Sequence, residues 1–387
     1  MLFFRRVVVI ALLFLAIVVL DLVSNSSRFA SATFSSPLAA TPSPPKKSLP
    51  FPSTYPTSKP RPTPSTLNTR AVSSPWRAGV DTIILVHGFN AAPSGSSVGF
   101  NCADHYNYGW GTVIDYLKQP HTIAGQRKTW GRTGDIQTVK FYSGDVNCNA
   151  DLHDSKYTSH CRNYVPGNEG NNNESIYHLS CLFAWYIYLN YSIHDGWNVE
   201  VVAHSMGGLI VRNAIYQVTQ RKATWTMPPR LGITDVVTFG TPHGGIDLGQ
   251  QIADFFAICH SCRQTQEMTS NSSFMNEMYN QAQNPQANQD GRGTDWTLMG
   301  DFNCDLAVSG ESSTWMNGGR KSRFIKQDNP NSACYGHAGY LTDTNDRERT
   351  EITWCDGCSI NESYWNYWNA APRSLFHMMH SLWLSTW

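Results

Sequence analysis

Charge is scarce in this sequence. Only 15% of its 387 residues are Asp, Glu, Lys or Arg, against about 25% in an ordinary soluble protein. The 29 basic residues are balanced by 29 acidic ones, so no bulk positive charge is available to hold a nucleic acid. Long apolar runs are nearly absent too. One run, residues 7–20, is long enough to notice, which excludes a polytopic membrane protein. No His-Glu-x-x-His segment occurs, so the helix-borne zinc pair of metalloproteases is missing. Apolar and aromatic residues are abundant. Hydrophobics make up 41% and aromatics 12%, including 13 Trp. A chain of this kind can bury a large core, and wholesale disorder is excluded.

The zero net charge hides two regions. Residues 1–75 hold eight basic residues and one acid, and residues 76–387 carry the opposite excess. Eleven of the 20 prolines fall between Pro37 and Pro75. Arg5 and Arg6 precede the apolar run and Asp21 closes it. Its length suits an export signal better than a span of about 20 residues. Ala30-Ser31-Ala32 has the form of a cleavage site, and an uncleaved anchor is the alternative. Either way the remainder is expected outside the cell, secreted or held at the outer face of the membrane. Residues 33–75, rich in Pro, Ser and Thr, read as an extended linker, with a basic stalk along an anionic surface as the sharper reading. The predicted organisation is a signal or anchor (1–32), this linker (33–75) and a folded domain (76–387).

All ten cysteines lie in the predicted domain, from Cys102 to Cys358. An even count in an exported chain favours disulfides. Cys259-x-x-Cys262 and Cys355-x-x-Cys358 form a weaker alternative, as two halves of a zinc site. Five Asn-x-Ser sequons begin at Asn25, Asn173, Asn190, Asn271 and Asn361. They matter only in a host that glycosylates.

Residues 81–86 form a continuous apolar, β-branched run that suits a strand buried on both faces. Helix is expected at 113–118, strand at 137–142, helix at 175–193 and strand at 199–202. This alternation predicts a mostly parallel sheet. The last strand runs into Ala203-His204-Ser205-Met206-Gly207-Gly208, and helix is expected from 209 to 219. A strand–Ser–helix turn of this kind pushes the serine out above the sheet. The start of the helix then offers free N–H groups to a developing oxyanion. The bland alternative is an ordinary turn with a serine cap.

His87-Gly88-Phe89, the serine segment and Phe239-Gly240-Thr241-Pro242-His243-Gly244-Gly245 together resemble the lipase and esterase branch of the α/β-hydrolase superfamily. The likeness covers about residues 80–345 in motif order. It implies an α/β-hydrolase fold with helices on both faces of the sheet, and a chain order of Ser, then Asp, then His. Ser205 is the expected nucleophile. Asp301 and Asp305 both follow an expected strand at 296–300. Asp305 is preferred because Asp305-x-x-Val308 has the spacing of similar lipases, and Glu311 is third. His337, flanked by small residues, is the expected base; His377 and His380 are rivals on an expected amphipathic helix at 374–383. The oxyanion hole would be the N–H groups of Phe89 and Met206. His204 and His243 are expected to line the pocket, and His87 to hold the oxyanion turn.

The expected reaction is hydrolysis of an ester or lipid, with no cofactor and no metal. Residues 246–295 mix polar and apolar pieces, as a lid or a disulfide-pinned insertion would. Two other readings compete. One is an amidase, peptidase or acyltransferase on the same fold; the other is a non-catalytic binder using the Trp-rich stretch 364–368.

Overall fold

The computed structural model describes residues 82–383 except 91–98, 107, 124–125, 130–134, 162–168, 195–197, 221–225, 248–258, 260, 280–293, 302–303, 317–319, 325–335, 344–349, 357–365 and 372–373. The chain divides into two units, Met1–Pro60 and Arg61–Trp387, and every described residue belongs to the second. The expected signal, linker and Trp365, Cys334 and Cys358, and both flanks of the 246–295 insertion lie outside the described residues.

Nine strands form one sheet. They are β1 (Thr82–Val86), β4 (Ile136–Lys140), β5 (Ala150–Asp151), β6 (Val199–His204), β7 (Ile233–Phe239), β8 (Asp295–Asp301), β9 (Arg320–Phe324), β10 (Thr350–Asp356) and β11 (Asn366–Ala371). Their spatial order is β11-β10-β9-β8-β7-β6-β1-β4-β5. Every pairing from β5 through to β9 is parallel. The two outer pairings at the other edge, β9–β10 and β10–β11, are antiparallel. A separate hairpin joins β2 (Pro120–Ile123) and β3 (Gln126–Thr129).

The apolar run of β1 has a simple reason. Alternate residues point to opposite faces of a strand, and here both faces are covered. Ile83 and Leu85 pack in a cluster with Trp110, with Leu117 of α1 (Gly111–Lys118) and with Leu375 and Met378 of the C-terminal helix, Ser374–Trp383. Ile84 and Val86 pack on the other side, with Leu182 of α2 (Ile176–Ile187) and Leu209 of α3 (Met206–Gln220). This is an α/β-hydrolase sheet with helices on both faces.

The expected helix at 175–193 closes its α-helical part at Ile187 and continues as a π-turn over Tyr188–Ser192. Strands β10 and β11 had no counterpart in the sequence reading. They carry Thr, Glu, Asn and Asp among their aromatics, without the continuous apolar run that marks a central strand. Among the described residues, three cysteine pairs stand at disulfide distance: Cys102–Cys148, Cys161–Cys181 and Cys259–Cys262. The other half of the alternative zinc site, the Cys355 side chain and Cys358, lies outside the described residues.

The described part of the insertion is tied to the body. It carries α4 (Arg263–Met268) and α5 (Ser273–Tyr279), with Met268, Phe274, Met275 and Met278 buried. Glu267 accepts hydrogen bonds from the Ser175 hydroxyl and the Ile176 N–H at the start of α2. Arg212 of α3 donates to the Met278 carbonyl.

Candidate active site

Strand β6 ends at His204 and α3 begins at Met206, so Ser205 makes the turn alone. Its φ is 55°, a left-handed conformation that costs a non-glycine residue about 1–2 kcal/mol. Two backbone bonds hold it. The Ser205 N–H donates to the Phe239 carbonyl at 2.9 Å, and the Gly208 N–H donates to the Ser205 carbonyl at 3.1 Å. The segment after β1 presses against the same residue: a Cβ on Gly88 would lie 2.4 Å from Ser205 Cβ.

His337 lies in the single-turn helix Gly336–Gly339, and Asp305 in the loop after β8. His337 Nε2 stands 2.8 Å from Ser205 Oγ, and Nδ1 stands 2.9 and 3.1 Å from the two Asp305 oxygens. Carboxylate oxygens only accept, so Nδ1 carries the proton and Nε2 accepts from the serine hydroxyl. Asp305 Oδ1 also accepts the N–H groups of Ala307 and Val308, at 3.0 and 2.9 Å. That bonding gives the Asp305-x-x-Val308 spacing a physical content: the carboxylate is aimed by its own turn. All three residues are buried, yet Ser205 and His337 keep 3% and 8% exposure. The Gly240 of the Gly-Thr-Pro-His segment makes room for this pair. It has φ +52°, and a Cβ there would sit 2.9 Å from Asp305 Oδ2 and 3.3 Å from His337 Cε1.

The rival acids lie elsewhere. Asp301 accepts from the Cys304 N–H, and its own N–H donates to the Tyr340 hydroxyl. Glu311 is exposed on the short helix Gly310–Ser313. His377 and His380 ride on Ser374–Trp383 as expected, and their side chains lie outside the described residues. Met206 opens α3, so its N–H has no partner inside the helix. Phe89 follows the Gly88 that abuts Ser205.

His204 and His243, expected to line the pocket, are both buried. His204 is 2% exposed and donates from Nε2 to the His337 carbonyl at 2.6 Å. Burial, and then the neighbouring His337, push its pKa well below the usual histidine value, so the ring is neutral. His243 is fully buried, with Nε2 3.1 Å from Thr238 Oγ1 and its ring edge-on to Trp296. Each is turned inward because a protein partner satisfies the ring there.

Two residues were missed by sequence reasoning. Asp145 is a buried carboxylate that accepts from His87 Nε2 at 2.9 Å and from the backbone N–H groups of Phe100, Phe141 and Tyr142 at 2.7–2.9 Å. Burial raises its pKa, but the His87 ring and those N–H groups outweigh it and hold the carboxyl below its usual value. Its only sequence signal is an acid shortly after the end of a strand. Tyr108 stands near the His204 and His337 rings, and nothing in its sequence context marks it.

Residues 185–279 match the model of the family described as "Putative serine esterase (DUF676)". That stretch contains β6, Ser205, α3, β7 and the Gly240–Gly245 segment. Over that stretch the chain is similar to serine esterases. Among solved structures, lipase B of Aspergillus fumigatus is 15% identical over 59% of this chain and 39% of its own, with a TM-score of 0.33. The mature lipase BlEst2 of Bacillus licheniformis is 13% identical over 61% and 80%, at 0.35. Phospholipase PlaB of Legionella pneumophila is 12% identical over 65% and 49%, at 0.34. The chain thus spans less than half of the fungal lipase and of the phospholipase. Likenesses of this size carry no weight for activity. A search of curated proteins returned no match.

Proposed function

We propose that this α/β-hydrolase cleaves carboxylic esters through an acyl-enzyme on Ser205. One observation carries the reading: a strained serine whose hydroxyl faces His337 Nε2 at 2.8 Å, with Asp305 at 2.9 Å behind the ring. Ser205 Oγ attacks the ester carbonyl as its proton passes to His337 Nε2. The oxyanion forms against the N–H groups of Met206 and Phe89. The tetrahedral intermediate collapses, and His337 returns the proton to the departing alcohol. Water repeats the sequence on the acyl-enzyme and releases the acid. Asp305 fixes the ring tautomer and stabilises its cationic form. The reading includes an exported protein, in line with the apolar run and basic flank at 5–20.

The test is hydrolysis of p-nitrophenyl esters from acetyl to palmitoyl by the full, oxidised chain and by Ser205→Ala. The expected result is turnover that falls by roughly 10⁴–10⁶ in the variant, with the chain-length optimum separating esterase from lipase. Equal turnover by both proteins for every ester would sink the proposal.

A further inference from the structure

Tyr108 is a second strained residue at this site. Its φ is 61°, where a bulky side chain is an outlier. The surrounding turn imposes it. The Asp104 N–H donates to the Asn101 carbonyl, the Tyr108 N–H to Tyr106, the Trp110 N–H to Cys102 and the Gly111 N–H to Asp104, all at 2.9–3.0 Å. Cys102 in turn pairs with Cys148 on the neighbouring loop. Strain of this kind persists only where the rest of the structure over-determines it. What it achieves here is placement. The phenol ring lies 6.4 Å from the His337 ring and 5.9 Å from the His204 ring, with its other contact edge-on to Phe100 at 6.3 Å. Tyr108 is half-buried, and its hydroxyl has no hydrogen-bond partner among the described residues. Burial and then the charge of Asp305 raise its pKa, so the hydroxyl stays protonated and able to donate.

The position identifies which half of a substrate the ring meets. The leaving oxygen must come within hydrogen-bond reach of His337 Nε2 to take its proton. A ring standing alongside that imidazole therefore borders the alcohol half rather than the acyl half. We propose that Tyr108 is a specificity-determining residue whose ring bounds the alcohol side of the substrate and whose hydroxyl hydrogen-bonds the reacting ester. This rests on the ester-hydrolase reading above.

The experiment compares the full chain with Tyr108→Phe, Tyr108→Ala and Tyr108→Gly on butyrate esters of methanol, phenol and naphthol. Tyr108→Phe should lower kcat about five- to tenfold across the series and leave the order of alcohols unchanged. Tyr108→Ala and Tyr108→Gly should shift preference about tenfold toward the naphthyl ester. Glycine adopts a positive φ freely, so Tyr108→Gly relieves the strain and separates a specificity change from a folding defect. Unchanged kcat and unchanged alcohol order in all three variants would overturn the role. Mass-detected labelling of Ser205 by a p-nitrophenyl alkylphosphonate separates the two ways of failing. An unlabelled wild-type chain overturns the hydrolase reading and the Tyr108 role with it. A labelled wild type whose alcohol order does not respond to Tyr108→Gly overturns the Tyr108 role alone.

Discussion

Among the described residues, two buried histidine–aspartate pairs share the same separation. His337 Nδ1 and His87 Nε2 each stand 2.9 Å from a carboxylate oxygen. Both carboxylates also accept backbone N–H groups, those of Ala307 and Val308 at Asp305 and those of Phe100, Phe141 and Tyr142 at Asp145. The difference lies at the other ring nitrogen. His337 faces the Ser205 hydroxyl, which can donate a proton. His87 faces the Gly88 carbonyl, which can only accept. A ring between a carboxylate and a hydroxyl can take up and return a proton. A ring between two acceptors is a brace. The pair alone therefore says nothing about chemistry; the third partner assigns it.

That contrast can be broken from either side. The largest effect is expected from Asp305→Asn, which leaves the shape intact and lets the wrong tautomer form: kcat should fall by about 10⁴ with little change in Tm. Asp145→Asn should do the reverse. It weakens a buried pair and several backbone bonds, so unfolding free energy should drop by about 2–4 kcal/mol while folded molecules keep most of their turnover. Matched activity losses in the two variants, measured per folded molecule, would erase the distinction.

Smaller effects sharpen it. His204→Phe removes the donor to the His337 carbonyl, and kcat is expected to fall roughly tenfold, with His204→Gln recovering part of the loss. Failure of Gln to do better than Phe would assign His204 to packing alone. The pH dependence of stability tests the Asp145 brace further. The Asp145 pKa is depressed in the fold, so its contribution is present above about pH 3.8, its unfolded value, and is lost as pH falls through the lower folded value. Asp145→Asn should flatten that acid limb in a urea-unfolding series. His153 behaves oppositely. Burial lowers its pKa, but Glu174, together with Asp151 and Glu169, raises it overall. Its contribution is therefore full below about pH 6.5 and lost as pH rises through the higher folded value. His153→Gln should remove that small alkaline slope, and an unaltered slope would mean that other groups carry it.

Much of this arrangement is legible in the residues themselves. A strand buried on both faces is apolar along most of its length, and β1 and, apart from Glu200 and His204, β6 announce themselves that way. The elbow is local, because Ala203, Gly207 and Gly208 around Ser205 are a short-range consequence of a tight turn. The Asp305-x-x-Val308 spacing is local for the same reason, since the aspartate bonds to its own loop. Strands β10 and β11, at the antiparallel end of the sheet, were not legible, because they carry polar residues and lack the continuous apolar run.

By itself, then, the sequence determined the parallel core, the serine turn and the short list of acids and bases that could serve it. Periodicity and turn chemistry act over a few residues, and both are written in the order of side chains. Only the tertiary structure decided which histidine faces the serine, which acid stands behind it, that Asp145 braces His87, and that His204 bonds the His337 carbonyl. Those outcomes depend on residues 32 to 133 positions apart meeting at hydrogen-bond distance, and no local pattern encodes where a distant loop will close.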